Sequence, residues 1–345
     1  MKFLIFSDLH FFRGREYLVD TCRWIAEQIR LYRPERVVFC GDLNHSHNSI
    51  ETDTFHSLAS AISVVADAAF EVTERKLIAL SGNHDTTLRS TARNIVEAVS
   101  LLSPKIQAVT EPFEDDVAAY APYPPAGERF DAYLAKLHSF NKELLFGHLE
   151  LAEIAYSPAS PAESDHPFPL PPTTKFVVNG HYHHPQRKMV GKVDTTIIGA
   201  PCYHSYSDCL VDTPRGILLL SYTEGSVETL WVENPHGPIY HTIVPQQLEA
   251  VIKYPQVKRM RIRVKVDSKE TYEQIKPAIM RLREVAETVR VMAASSQVVS
   301  QIHQSETQTV SLTDPVALLK DYAVKKNLTP KVVDSGLSFL QGVGS

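Results

Sequence analysis

No two of the four cysteines, Cys22, Cys40, Cys202 and Cys209, form a CxxC pair, and their scatter points to reduced thiols rather than a disulfide framework. Long apolar runs are scarce too. The opening MKFLIF passes straight into Ser7-Asp8-Leu9-His10, too short for the core of a secretion signal, and nothing later is expected to approach a membrane span. A cytoplasmic protein with no membrane partner is the expectation. Positive charge is not in excess either: the formal net charge of -5 argues against polyanion binding over the whole surface, though a local basic patch would survive that average. No internal repeat is evident. What is present is an ordinary chain of 345 residues, 43% hydrophobic and 22% charged, long enough for one large domain and one or two small ones. Its unusual count is 15 histidines.

Short apolar runs at 3–6, 36–40 and 76–80 are of buried-strand type, with helical patterns at about 15–32 and 51–71 between them. Further strands are expected at 144–146, 176–178, 195–198 and 217–221, the later ones closer together. This alternation predicts an α/β fold, a layered β-sandwich flanked by helices. The stretch SPASPAESDHPFPLPP at 157–172 is too rich in proline for a helix interior or a central strand, and reads as a long surface loop. After about residue 245 the pattern changes. RMRIRVKV alternates with period two, a helix runs to about 287, and TVRVM at 288–292 is a returning strand, together a small α+β unit. Pro277 is expected to start or kink that helix. A polar linker at 293–313 and an amphipathic helix at 315–326, capped by Asp314, complete the reading. The expected domains are 1–245, 246–293 and 294–345.

Five segments end a strand-like run in a cluster of Asp, Asn and His: FSDLH (Asp8, His10), CGDLNH (Asp42, His45), LSGNHD (Asn83, His84, Asp85), FGHLE (His148) and NGHYHH (His181, His183, His184). Strand ends at one edge of a layered sheet converge in space, where open α/β folds place ligands. Carboxylate, carboxamide and imidazole are donors suited to Mn²⁺, Fe²⁺ or Zn²⁺, and no thiolate takes part. Glycines at 41, 82, 147 and 180 precede four of the clusters, as sharp turns require. One Asp-x-His at a strand end is usually a helix cap beside a surface histidine. Five clusters in one order are hard to obtain by accident.

The ordered set D-x-H, GD, GNHD, GH and GHxH resembles the calcineurin-like metallophosphoesterase superfamily over about residues 1–235. That resemblance implies two divalent metal ions, Mn²⁺ first among them. Asp8, His10, Asp42 and His183 would hold one, and Asp42, Asn83, His148 and His181 the other, with Asp42 bridging. His84 would be the histidine that faces the phosphate without ligating, while His47 and His184 match no ligand position. Many phosphatases of the superfamily follow the bridging aspartate with GDxxDRG; here GDLNH puts His45 at that place and supplies no arginine. Asp-x-x-His resembles instead the nuclease subunits of SbcD type, counterparts of the meiotic-recombination-eleven nuclease, where this histidine orients the substrate. GHYHHPQ, IIGAPCYHSYSD and DTPRG at 212–216 are similar to segments of those nucleases, the last to phage-type members. Phe11-Phe12 departs from them, standing where relatives have a small or polar residue and a glycine.

The function so implied is a DNA exonuclease or endonuclease subunit, a homodimer within a heterotetramer with an SMC-like ABC ATPase of SbcC type, in a bacterial or phage-infected cell. The C-terminal helix would dock that ATPase. Arg259, Arg261, Arg263 and Lys265 alternate onto one side of a strand, either as a solvated face or as contacts to a DNA backbone. Two other functions fit the residues less well. A phosphatase or phosphodiesterase for small molecules or phosphoproteins would not need the last hundred residues, and a DNA-end-binding adaptor for the ATPase would have no use for a complete ligand set.

Overall fold

In β1 (Lys2–Phe6) and β2 (Arg36–Phe39) every side chain after Lys2 is buried, because apolar residues follow one another on both faces. The structure is a computed structural model that describes residues 1–47, 50–86, 94–156, 168–206, 208 and 213–293. It divides into two compact units between Tyr240 and His241.

In the first unit α1 (Tyr17–Tyr32) joins β1 to β2, and α2 (Thr52–Thr73) joins β2 to β3 (Leu77–Leu80). Then follow α3 (Ile95–Leu102), β4 (Ile106–Val109), β5 (Phe113–Glu114), β6 (Ala118–Ala121), α4 (Arg129–His138), β7 (Leu144–Gly147) and β8 (Phe176–Asn179). The unit is completed by β9 (Gln186–Val190), β10 (Val193–Ile197), β11 (Gly216–Thr223) and β12 (Ser226–Glu233). One six-stranded sheet has the order β12-β11-β1-β2-β3-β4, the other β5-β6-β7-β8-β10-β9. Strands β1 to β4 are parallel, in the register Phe3↔Arg36 and Phe6↔Phe39 for the first pair.

Strand periodicity decides the layers. Phe3 and Ile5 join Tyr120, Leu144, Phe146 and Val178 in a core between the sheets. Leu4 and Phe6 point the other way, into a core closed by Leu18 and Ile25 of α1 and Leu58 and Ile62 of α2. On the far side Ala119, Leu145 and Val177 pack with Tyr133 and Leu137 of α4. The result is the layered α/β sandwich that the sequence predicts.

One helix, α2, with a mean hydropathy of 1.3, is long and apolar enough by length and composition to cross a membrane. Its apolarity serves the core, where Leu58, Ile62, Val65, Ala66 and Ala69 are buried.

The second unit carries the end of β13 (Ile239–Ile243), then α5 (Leu248–Ile252), β14 (Met260–Val266), α6 (Lys269–Val285) and β15 (Thr288–Ala293), with sheet order β13-β14-β15. β14 and β15 are parallel, so the connection through α6 is a β-α-β crossover. Ile262, Val264 and Val266 are buried, while Arg261, Arg263 and Lys265 alternate with them toward solvent. Arg259 departs from expectation: it ends a 3₁₀ turn before the strand and does not share its alternation. Pro277 neither starts nor ends α6, whose start is set by Ser268 accepting from the Thr271 amide at 3.1 Å. Most of the proline-rich loop, the polar linker and the C-terminal helix lie outside the described residues.

If α2 is a core helix, Leu58→Ala should cost about 2–5 kcal/mol of stability. Urea unfolding of the protein would measure it, and a cost near zero would contradict the packing.

Candidate metal centre

The parallel strands deliver their clusters to one edge. Asp8 follows β1, Asp42 follows β2, Asn83 and His84 follow β3, His148 follows β7, and His181 and His183 follow β8. Beyond β1 and β2 the chains stay paired, with the amides of Asp8 and His10 donating to the carbonyls of Gly41 and Asp42 at 2.9 and 3.0 Å. Four of the side chains reach the edge from unusual backbone. Asp8, His10, Asp42 and His181 have φ of 55°, 50°, 61° and 72°, in the left-handed region that costs a residue other than glycine of order 1–3 kcal/mol. Glycine is required where loops touch: a Cβ on Gly180 would stand 2.1 Å from Ser7 Oγ, and one on Gly82 2.1 Å from Asp42 Oδ1.

Donor atoms from both sheets converge. His10 Nε2 lies 3.0 Å from His183 Nε2, 3.4 Å from Asp42 Oδ2 and 3.8 Å from Asp8 Oδ1. His148 Nε2 lies 3.4 Å from Asp42 Oδ1 and 3.1 Å from Asn83 Oδ1, which is itself 3.0 Å from His181 Nδ1. Asp42 therefore presents one oxygen to each group. Asp8 is fully buried, yet neither of its carboxylate oxygens meets a hydrogen-bond donor, and the adjacent Ser7 hydroxyl donates to the Cys40 carbonyl at 2.9 Å instead. A buried anion without donors is costly unless a cation is its partner, so this donor set fits divalent metal.

The electrostatics agree. Burial pushes His10 well below its ordinary pKa, His181 down to about 3 and His45 to about 4, so all three imidazoles are neutral near pH 7 with a lone pair available. Burial would lower His148 as well, but the Asp42 carboxylate lifts it to about 9, and in return His148 and His10 hold Asp42 well below the usual carboxylate range. Burial raises Asp8. The protein has concentrated two carboxylates where only positive charge makes them comfortable.

His84 and His45 stand at the mouth. His84 donates from Nδ1 to the His45 carbonyl at 2.6 Å, which leaves Nε2 to exchange a proton. The two rings are parallel, 5.7 Å apart at 9°, and Phe12 packs edge-on against His45 at 5.2 Å. His47, which matched no ligand position, is exposed but stacks on His84 at 4.0 Å. His184 is buried and accepts from Arg215 at 2.9 Å.

Several supporting residues were given no role from sequence. Asp85 is buried, and its oxygens accept from the amides of Asp42, Leu43, Asn44 and Gly82 at 2.8–3.0 Å, which fixes the loops after β2 and β3 to each other. Burial and the Asp42 charge raise its pKa to about 7, against the pull of those amides. Asp208 accepts from the amides of His204 and Ser205 and stands 3.9 Å from His183 Nδ1. His204 Nε2 in turn donates to the Asp8 carbonyl at 2.8 Å. The signals were available in part: the last residue of GNHD and the His-x-x-x-Asp of YHSYSD are polar residues beside ligand clusters. Their partners are backbone groups distant in sequence, which no local pattern reveals.

Two facing sheets whose strand ends gather carboxylates, imidazoles and an asparagine define a metal-dependent phosphoester hydrolase. The sequence profile of the calcineurin-like phosphoesterase family matches residues 1–185, and the chain belongs to that family, whose members are dinuclear metal enzymes. No curated protein matches the chain. Among solved structures, a dimetal phosphatase from Danio rerio is similar at 12% identity, covering 66% of this chain and 95% of its own, with a TM-score of 0.42. GAP50, the anchor in the inner membrane complex of Plasmodium, overlaps at 9% identity over 68% of this chain and 84% of its own, with a TM-score of 0.42. An archaeal phosphodiesterase overlaps at 14% identity over 67% and 99%, with a TM-score of 0.34.

Asp85→Ala would leave four buried amides without their acceptor and should destabilise the first unit by about 3 kcal/mol or more. Denaturant unfolding of the variant checks this, and an unchanged midpoint would show that the loops are held by other means.

Proposed function

We propose that this protein is the nuclease subunit of an SbcC–SbcD-like complex, hydrolysing DNA phosphodiesters with two Mn²⁺ ions in end processing, recombination or degradation. The observation that carries this reading is His45, three residues after Asp42, its ring parallel to His84 at 5.7 Å, in a place where phosphatase-type relatives would offer an arginine. A phosphomonoester dianion demands more countercharge than a diester. A neutral imidazole can position the diester and suits it better.

Asp8, His10, Asp42 and His183 hold one ion in this reading, and Asp42, Asn83, His148 and His181 the other. The distances of 3.0–3.8 Å within the first group and 3.0–3.4 Å within the second support that division. Bound there, two cations supply charge for the phosphate oxygens and make water a better nucleophile near neutral pH. The remaining work falls to the chain. Asp85 and Asp208 hold the loops and His183 in place, His45 positions the phosphate, and His84, its Nδ1–H kept on the His45 carbonyl, takes a proton from solvent at Nε2 and passes it to the leaving oxygen.

Arg263 and Lys265 of β14 would contact the DNA backbone. Arg261 contributes less, because it gives Nε and Nη2 to Glu287 Oε1 at 2.7 and 2.5 Å, and Arg259 stands off the strand. The SMC-like ABC ATPase, the homodimer within a heterotetramer and a docking helix near the C-terminus belong to the same proposal. A small-molecule phosphodiesterase is the second reading, favoured by a cleft beside the metal-ligand groups.

Calorimetry with Mn²⁺ should find binding that Asp42→Ala largely abolishes. His84→Ala should keep the metal and lose about 10²–10⁴-fold in turnover; joint loss of metal and activity would make His84 a ligand instead. On substrate choice, Mn²⁺-dependent degradation of linear DNA should weaken steeply with salt. Arg263→Ala with Lys265→Ala should flatten the log–log salt slope by about one unit per lost phosphate contact. Hydrolysis of a phosphopeptide with no DNA cleavage would overturn the nuclease assignment.

A further inference from the structure

Next to Asn83, His148 and His181 lies a cleft of ≈ 360 Å³ that the hydrolytic groups do not occupy. Tyr123 is shared by the two. Its ring centroid is 5.9 Å from that of His181 and 6.2 Å from that of His148, and the same residue lines the cleft. Its amide donates to the Ser81 carbonyl at 2.8 Å, so the tyrosine is tied to the strand end that carries Asn83. Pro124 and Pro125 continue the apolar wall, and neither can rearrange freely because the proline ring fixes φ. Ser81 and Thr110 add small polar groups to the lining, and α4 contributes Arg129, Ala132 and Lys136, the last held by Glu111 at 3.0 Å. The volume falls within the range of small-molecule sites, about 300–1,000 Å³. An aromatic ring, a proline wall, a few hydroxyls and guanidinium chemistry suit a planar heterocycle on a sugar, the part of a nucleotide that a metal centre cannot grip.

We propose that this cleft receives the nucleoside attached to the scissile phosphate, with Tyr123 stacking on its base and Ala132 of α4 forming the opposite boundary. The proposal rests on the phosphodiesterase reading above and adds its specificity determinant: the enzyme grips the base and sugar beside the reacting phosphate as well as the backbone of long DNA. The site is sequence-tolerant, because every base offers a π face to a tyrosine.

Ala132 is exposed on α4, lines the cleft and belongs to none of the metal-ligand groups, so Ala132→Trp fills the space without touching the chemistry. Ala132→Ser changes the residue without filling it. With Mn²⁺-loaded full-length protein, thymidine 5′-(p-nitrophenyl phosphate) and methyl p-nitrophenyl phosphate differ only in the nucleoside. The Trp variant should raise KM for the thymidine ester by about tenfold, the scale of one base stacked on an aromatic ring, and leave the methyl ester within about twofold. The Ser variant should resemble the parent on both. Calorimetric titration with thymidine 5′-monophosphate should show the same tenfold weakening in the Trp variant alone. Equal changes on the two esters, or no change in either KM or nucleotide affinity, would overturn the cleft assignment while leaving phosphodiester hydrolysis standing. A parent protein that cleaves neither ester and binds no nucleotide would remove both.

Discussion

The single carboxylate of Asp85 holds four backbone amides, those of Asp42, Leu43, Asn44 and Gly82, and the geometry of the site hangs on that knot. The two loops it joins belong to neighbouring parallel strands and have no ladder of their own at that point. With their amides fixed, the Asp42 side chain is left pointing at both His10 and His148 while accepting from the His84 amide at 2.9 Å. One buried carboxyl offers two oxygens and so can accept from several amides at once, which is what a strained loop needs.

The strain itself is informative. Four residues of the two proposed ligand groups sit at positive φ, each at an energetic cost that the surrounding layers must offset. They can do so because β1, β2 and β3 are buried on both faces, so the loops leave a rigid base. The second sheet is brought against the first through Gly180, whose missing side chain lets it approach Ser7 and the Cys40 carbonyl. His148 Nδ1 then donates to that same carbonyl at 2.6 Å, which fixes the ring and turns Nε2 toward Asp42.

Charge is arranged on the same logic. The buried carboxylates of Asp8 and Asp42 are surrounded by imidazoles and face no lysine or arginine among the described ion pairs. Arginines close to the site act on backbone and on supporting residues: Arg15 donates to the His10 carbonyl at 3.0 Å, and Arg215 to His184 and to the Asp208 carbonyl. The GDLNH loop itself carries no guanidinium and presents His45 beside His84 instead.

Sequence alone determined the layered α/β class, the strands that carry the clusters and the identity of the residues gathered at one edge. It could do so because buried parallel strands are continuous apolar runs and because ligand residues follow them within a few positions. The strands β4, β5, β6, β9, β12 and β13 and the helices α3, α4 and α5 were not foreseen: most are too short to carry a clear period, and β12, though eight residues long, mixes charged and apolar residues on its partly exposed faces. Arg261, read from sequence as either part of a solvated face or a phosphate contact, is held by Glu287, a partner 26 residues away. Only the tertiary structure decided that Asp85 is a knot and that Asp42 divides its oxygens between two groups of donors. It also decided that Asp208 stands beside His183 and that Tyr123 both packs near His148 and His181 and lines a cleft. Each depends on backbone groups and rings brought together from distant segments, and distance in space is a property that a local pattern of side chains does not encode.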